Sequence, residues 1–323
     1  MNALLGTSPL VANAAPTMKI KSFWKILFIF FLVYGLASGI SSAIITVPMV
    51  LWMLTEMDFF KAVQEGKPIQ VDVEDVMEAL PSWFYLLSLF VTVVTIATVL
   101  VYCLKMERRS AFSLGFYKKN AVGEYFCGLG IGLAMFGTVV VIMLLSGEAT
   151  NFRFNASVSP FTVLLFFAGF VIQGASEEIL VRSYFMISAA VSKGLLPAIL
   201  VSSAAFALLH LGNPGISLLA IFNLFLFGVF AGLYFLRRGS IWGIAAIHTI
   251  WNFAQGNLFG CKVSGLAIQE SVFLCDITGK GQLFSGGAFG PEGGAGVTIV
   301  LTLGIVALLF LKNKEISAPA LQA

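Results

Sequence analysis

The sequence predicts an all-α protein, a polytopic membrane bundle of about eight helices, on three observations. Of its 323 residues, 59% are hydrophobic and 11% charged, where a soluble domain carries about 25% charged residues. Apolar runs close to or above the roughly 20 residues that cross a bilayer recur along the chain. Its lysines and arginines gather in alternate connecting segments, the pattern left when one side of a membrane collects positive charge.

In chain order, residues 1–22 read as a disordered tail, the first 17 nearly uncharged and closing on Ala-Ala-Pro-Thr. The stretch from Met18, MKIKSFWKILFIFF, opens with basic residues as a secretory signal does. Its apolar run is too long for one, and no small-residue cleavage site follows closely. It is therefore expected to stay as the first helix, 23–54. A second helix, 82–104, completes an N-terminal pair over 23–110. The loop between them is strongly acidic, with Glu56, Asp58, Glu65, Asp72, Glu74, Asp75 and Glu78. Further segments follow at 121–145, 160–190, 195–211, 216–236, 240–259 and 296–312, before a short tail at 313–323. The segment at 195–211 is short, while the first and fourth are long enough to tilt. Gly35/Gly39, Gly128/Gly132 and Gly228/Gly232 have the spacing that lets membrane helices approach closely.

A cytoplasmic N-terminus puts thirteen Lys and Arg residues on the cytoplasmic side and five on the other, with Arg182 inside the membrane. The acidic loop then faces outward, and eight spans return the C-terminus to the cytoplasm. A net charge of +3 is too small to indicate a nucleic-acid partner. Cys103 and Cys127 read as small thiols near the ends of apolar segments. Cys261 and Cys275 share the loop 260–295, where an oxidising compartment would join them and a reducing one would leave two thiols. That loop ends in FSGGAFGPEGGAG, the composition of a flexible linker or of a lid.

Ionisable groups at membrane depth cost several kcal/mol each and are functional candidates by default. Here they form a short set: Glu177, Glu178 and Arg182 in GASEEILVRSYF, His210 in FALLHLGNP, and His248 with Asn252 in HTIWN. The chain has two histidines, and both fall in this set. Glu178 and Arg182, four apart, share a helix face and can form a structural ion pair. Glu177 is rotated from Glu178 by about 100° and can point elsewhere as the free carboxylate. His248 and Asn252 also share a face, as do Phe206 and His210, which makes Phe206 a supporting ring beside the imidazole. Two imidazoles and a carboxylate in a dry interior suit the activation of water. Glu177, His210 and His248 are also a donor set for Zn2+ or another divalent metal. Asn252 offers an amide donor to a developing oxyanion. The bland reading of each part is a structural ion pair, or a histidine that serves as a hydrogen-bond partner between helices.

Glu177-Glu178-x-x-x-Arg182, Phe206-x-x-x-His210 and His248-x-x-x-Asn252, in order and in successive apolar segments, resemble the CAAX protease and bacteriocin-processing family, which includes the type II CAAX prenyl proteases. The likeness runs from about residue 110 through the glycine-rich loop, so 111–312 is the expected catalytic domain. The resemblance implies an intramembrane endopeptidase acting on a membrane-associated protein or peptide. It makes Glu177 the general base, has His210 and His248 position the water or a metal, and has Asn252 bind the oxyanion. The family pattern fits both a metal-dependent and a metal-free mechanism. Two other readings stand beside it: a catalytically silent immunity or scaffold member of the family, and a proton-coupled transporter. The transporter is disfavoured because no inverted repeat and no matching pair of broken helices is evident.

Overall fold

The computed structural model describes residues 8–56, 81–117, 119–268, 270–278 and 281–310. Helices occupy all eight expected apolar segments, preceded by a short helix α1 (Pro9–Ala14). They are α2 (Phe23–Glu56), α3 (Ser82–Met106), α4 (Ala121–Leu145), α5 (Pro160–Lys193), α6 (Leu195–Leu209), α7 (Leu218–Arg238), α8 (Ile241–Phe253) and α9 (Ala295–Phe310). α2, α3, α4, α5 and α7 are long and apolar enough to cross a membrane, whereas α6 and α9 are shorter apolar helices. The chain is an all-α, multi-pass integral membrane protein. The acidic residues from Asp58 to Glu78 and the tail 313–323 lie outside the described residues.

Local chemistry sets the helix ends. Ser159 caps α5 by accepting from the Thr162 N–H at 3.3 Å, with Pro160 in the first turn, where its missing N–H costs nothing. Ser217 caps α7 through the Ala220 N–H at 3.1 Å. Gly194, at φ +83°, is the one-residue turn from α5 to α6, and Gly239, at φ +61°, closes α7 just before α8. Both conformations penalise any residue with a Cβ.

The core is built around α8, which packs against α4 on one side and α5 on the other. Glycine sets the first spacing: a Cβ at Gly128 would run into the Gly243 carbonyl, and one at Gly132 into Ile247 and Ile250. Gly228 of α7 likewise lies against Ser203 of α6. Gly35 and Gly39 have no neighbour at such a distance, so this pair does not mark a contact among the described residues. Large apolar side chains on the outer face of α2, Trp24, Phe28, Leu32 and Leu36, point away from the bundle. In a soluble protein that patch would be an aggregation hazard, and in a bilayer it is the lipid face.

Two local expectations need correction. The tail 1–22 is not wholly disordered, because α1 is capped by Ser8 and buries Leu10 and Ala14, with Met18 buried just beyond it. Asn13 also hydrogen-bonds Ser110. These apolar residues of a short, Pro-containing stretch pack against α5 and residues 112–114. The loop 260–295 is not a free linker either. Its strand β2 (Phe273–Ile277) pairs antiparallel with β1 (Ala149–Phe154), Ala149 opposite Ile277 and Phe154 opposite Phe273. Asn223 of α7 donates to the carbonyls of Glu292 and Gly294 at 2.8 and 2.9 Å, and Thr298 donates to Asn223 at 2.6 Å. Of the two states the sequence left open for Cys261 and Cys275, the structure has the pair of free thiols.

Glu148 fastens the same loop, accepting from the backbone N–H groups of Phe284 and Ser285 at 3.0 and 2.8 Å. Burial alone would raise this carboxyl, but those N–H groups outweigh it and hold Glu148 below its ordinary value of 4.5. Its contribution to stability is therefore fully present above about pH 4.5 and is lost as pH falls through the lowered value. Protection of the Phe284 and Ser285 amides, measured as hydrogen exchange relative to the intrinsic rate at each pH, is expected to fall on acidification below that point. Glu148→Gln should show low protection at neutral pH and little further change on acidification.

Candidate active site

Helix α5 supplies Gln173, Glu177, Glu178 and Arg182, and its hydrogen bonding widens to a π-helix over Ile179–Met186, directly after the two glutamates. Such widened turns recur at functional sites. Helix α8 brings His248 and Asn252, and α6 ends at His210. At 15 residues α6 is only about 22 Å long. A helix that short does not cross a hydrocarbon core of about 30 Å. It stops where His210 can meet Glu177.

Glu178 and Arg182 are both fully buried and form the expected ion pair, Nε to Oε2, at 3.2 Å. The guanidinium also lies 4.5 Å from the centre of the Phe206 ring, which gives its face a partner where water has none. Glu178 does more than pair with Arg182. Its Oε1 lies 2.9 Å from His248 Nδ1, so one carboxylate is shared between its own helix and α8. A carboxylate accepts, so His248 carries its proton on Nδ1 and presents the Nε2 lone pair. His210 reaches the same state by another route, with Nδ1 2.8 Å from the Phe206 carbonyl.

Both Nε2 atoms face one oxygen. Glu177 Oε2 lies 3.9 Å from His210 Nε2 and 3.8 Å from His248 Nε2, and it has no hydrogen-bond partner among the described residues. Its other oxygen, Oε1, is held by the Gln173 amide at 2.6 Å, and Gln173 Oε1 accepts from Asn252 Nδ2 at 3.0 Å. With both rings neutral, three lone-pair atoms thus converge with no donor from the described residues among them. That arrangement calls for a water, a proton or a cation at its centre.

A divalent metal matches this set in donor chemistry. Glu177, His210 and His248 are the ligand types zinc uses, and each imidazole already has the acceptor on its far nitrogen that orients metal-binding histidines. Among the described residues, no trio of His, Cys, Asp or Glu stands at metal-ligand spacing.

Glu177, whose side chain is 28% exposed, opens with His210, His248 and Asn252 onto a cavity of about 500 Å³. Ser264, Leu266, Ile268 and Glu292 of the 260–295 loop line part of it. All six ionisable or amide residues singled out in the sequence therefore belong to one connected cluster. Two contributors were missed. Gln173 is neutral and so escapes a search for charge, although its position four residues before Glu177 in an apolar helix was a usable signal. Phe227, its ring centre 5.1 Å from that of His248, looks like any lipid-facing phenylalanine in the sequence.

Residues 159–254 match the family model described as type II CAAX prenyl endopeptidase Rce1-like. The matched stretch runs from the cap of α5 to the end of α8 and holds every residue of the cluster, while α2, α3 and the 260–295 loop lie outside it. No curated protein and no solved structure matches the chain.

Removing one member of the buried pair leaves the other uncompensated, at a cost of about 3–5 kcal/mol. Arg182→Met is expected to lower the thermal unfolding midpoint sharply in detergent. Adding Glu178→Gln to it should restore most of the loss, since a neutral amide still accepts from His248.

Proposed function

We propose that this chain, whose residues 159–254 match the type II CAAX prenyl endopeptidase Rce1-like model, is an intramembrane endopeptidase of the CAAX protease family. It hydrolyses a peptide bond of a membrane-associated substrate with a water held by Glu177, His210 and His248. The observation that carries this reading is the convergence of three unpaired acceptor atoms on the wall of a cavity large enough for a peptide segment.

Each residue has a task that follows from its contacts. The Gln173 amide occupies Glu177 Oε1, which leaves Oε2 as the base. Water donates to Oε2 and attacks the scissile carbonyl carbon, one O–H bond breaking as the C–O bond forms. Glu177 then returns the proton to the departing nitrogen as the C–N bond breaks. The water's second O–H is accepted by the Nε2 lone pair of His210 or His248, which fixes its position, and Glu178 holds the His248 ring in orientation. Asn252 spends one of its two N–H groups on Gln173, and the other is available to the oxyanion. If a divalent metal is bound by Glu177, His210 and His248, it supplies Lewis-acid activation of the water.

Cleavage of a membrane-anchored fluorogenic peptide in proteoliposomes tests this. Glu177→Gln and His210→Ala should each lose roughly 10²–10⁴-fold in kcat. Asn252→Ala should lose about 10²–10³-fold. Full cleavage by Glu177→Gln, or a proton flux without product fragments, would sink the reading. Treating the purified protein with a chelator, alongside metal analysis, separates the two ways of activating water. Loss of activity restored by Zn2+ assigns the metal, and undiminished activity leaves the work to the side chains.

A further inference from the structure

The cavity onto which Glu177 opens has a second wall that the catalytic reading does not use. α2 contributes Ser38, Ser41 and Ser42 to it, and α3 contributes Ser88, Thr92 and Thr95. The α2 serines fall within an arc of about 100°, and the α3 residues, spaced by four and three, fall within a similar one. α2 and α3 pack side by side, so the two arcs form one hydroxyl face in an otherwise apolar pair of helices. The hydroxyls are of two kinds. Ser88 and Thr92 donate to the carbonyls of Tyr85 and Leu89 at 2.7 and 2.6 Å, which leaves them as acceptors toward the cavity. Ser38, Ser41, Ser42 and Thr95 make no hydrogen bond among the described residues and can donate.

A peptide cut inside a membrane must be unwound around the bond that breaks, and each N–H and C=O it releases costs several kcal/mol in hydrocarbon. Acceptors and donors side by side on one surface match the two groups of a peptide unit. We propose that the hydroxyl face of α2 and α3 binds the backbone of an extended substrate segment and presents its carbonyl to Glu177. This rests on the endopeptidase reading, and it assigns substrate binding to helices outside the matched segment 159–254.

The test measures binding without turnover. A dansyl-labelled, C-terminally amidated Leu/Ala peptide is titrated into the Glu177→Gln protein in micelles, in parent form and with backbone N-methyl groups at its centre. N-methylation is expected to weaken binding roughly threefold to tenfold, the worth of one hydrogen bond. Adding Ser88→Ala and Thr92→Val should weaken the parent peptide by the same factor and make N-methylation silent. Ser41→Ala alone should also weaken the parent, which keeps the test open if the α3 variant fails to fold. Unchanged binding by the wall variants overturns the proposal. So does a fall in kcat in the Glu177-containing wall variants with binding unaltered, which would make the face a water conduit. Failure of the peptide to bind the intact wall overturns it as well. Because the protein titrated cannot hydrolyse, a failed binding result is distinct from a failure of the peptidase reading.

Discussion

One carboxylate holds the centre of this molecule together. Glu178 is fully buried, and its two oxygens go to different places: one to Arg182 on its own helix, the other to His248 on α8. In a medium that solvates no charge, Glu178 needs both partners, and they in turn become fixed. Arg182 cannot leave, so Phe206 stays stacked on its guanidinium. His248 cannot turn, so its Nε2 stays aimed at Glu177. The orientation of the reactive side chains is a by-product of keeping one negative charge satisfied.

The rest of the bundle makes that satisfaction geometrically possible. α8 can come close enough to α4 because Gly128 and Gly132 present no side chain to it. His210 arrives at the right depth because α6 is only 15 residues long. The loop 260–295 is tied down near its C-terminal end, by Glu148 to the backbone amides of Phe284 and Ser285 and by Asn223 to the backbone carbonyls of Glu292 and Gly294, and it lines the cavity without an added domain.

The helices and most of the reactive cluster were legible in the sequence, for one reason. In an apolar chain every long hydrophobic run is a helix, and every ionisable residue within one is an energetic anomaly. What was not legible had no such anomaly. α1 is only six residues long, far too short to stand out as a span, and its Leu10 and Ala14 become buried with Met18 only once the chain has folded. The β1–β2 pair lies in segments whose glycine and polar content read as loop. Gln173 carries no charge, and the serines of α2 and α3 are unremarkable among apolar neighbours until folding puts them on one surface. The role of Glu178 was half legible. Spacing along one helix disclosed Arg182, but its contact with His248 is made across 70 residues.

The cavity has an unusual provenance along the chain. Its reactive side comes from a contiguous run of fewer than a hundred residues, while the second wall and the loop lining come from stretches before and after it. On the proposed reading, chemistry and recognition are encoded in separable blocks. Mutation can alter the hydroxyl face of the first two long helices without changing a residue of the cluster. Such a layout would let a lineage exchange clients while inheriting one reaction. For an engineer it marks the first hundred residues as the part to graft between relatives.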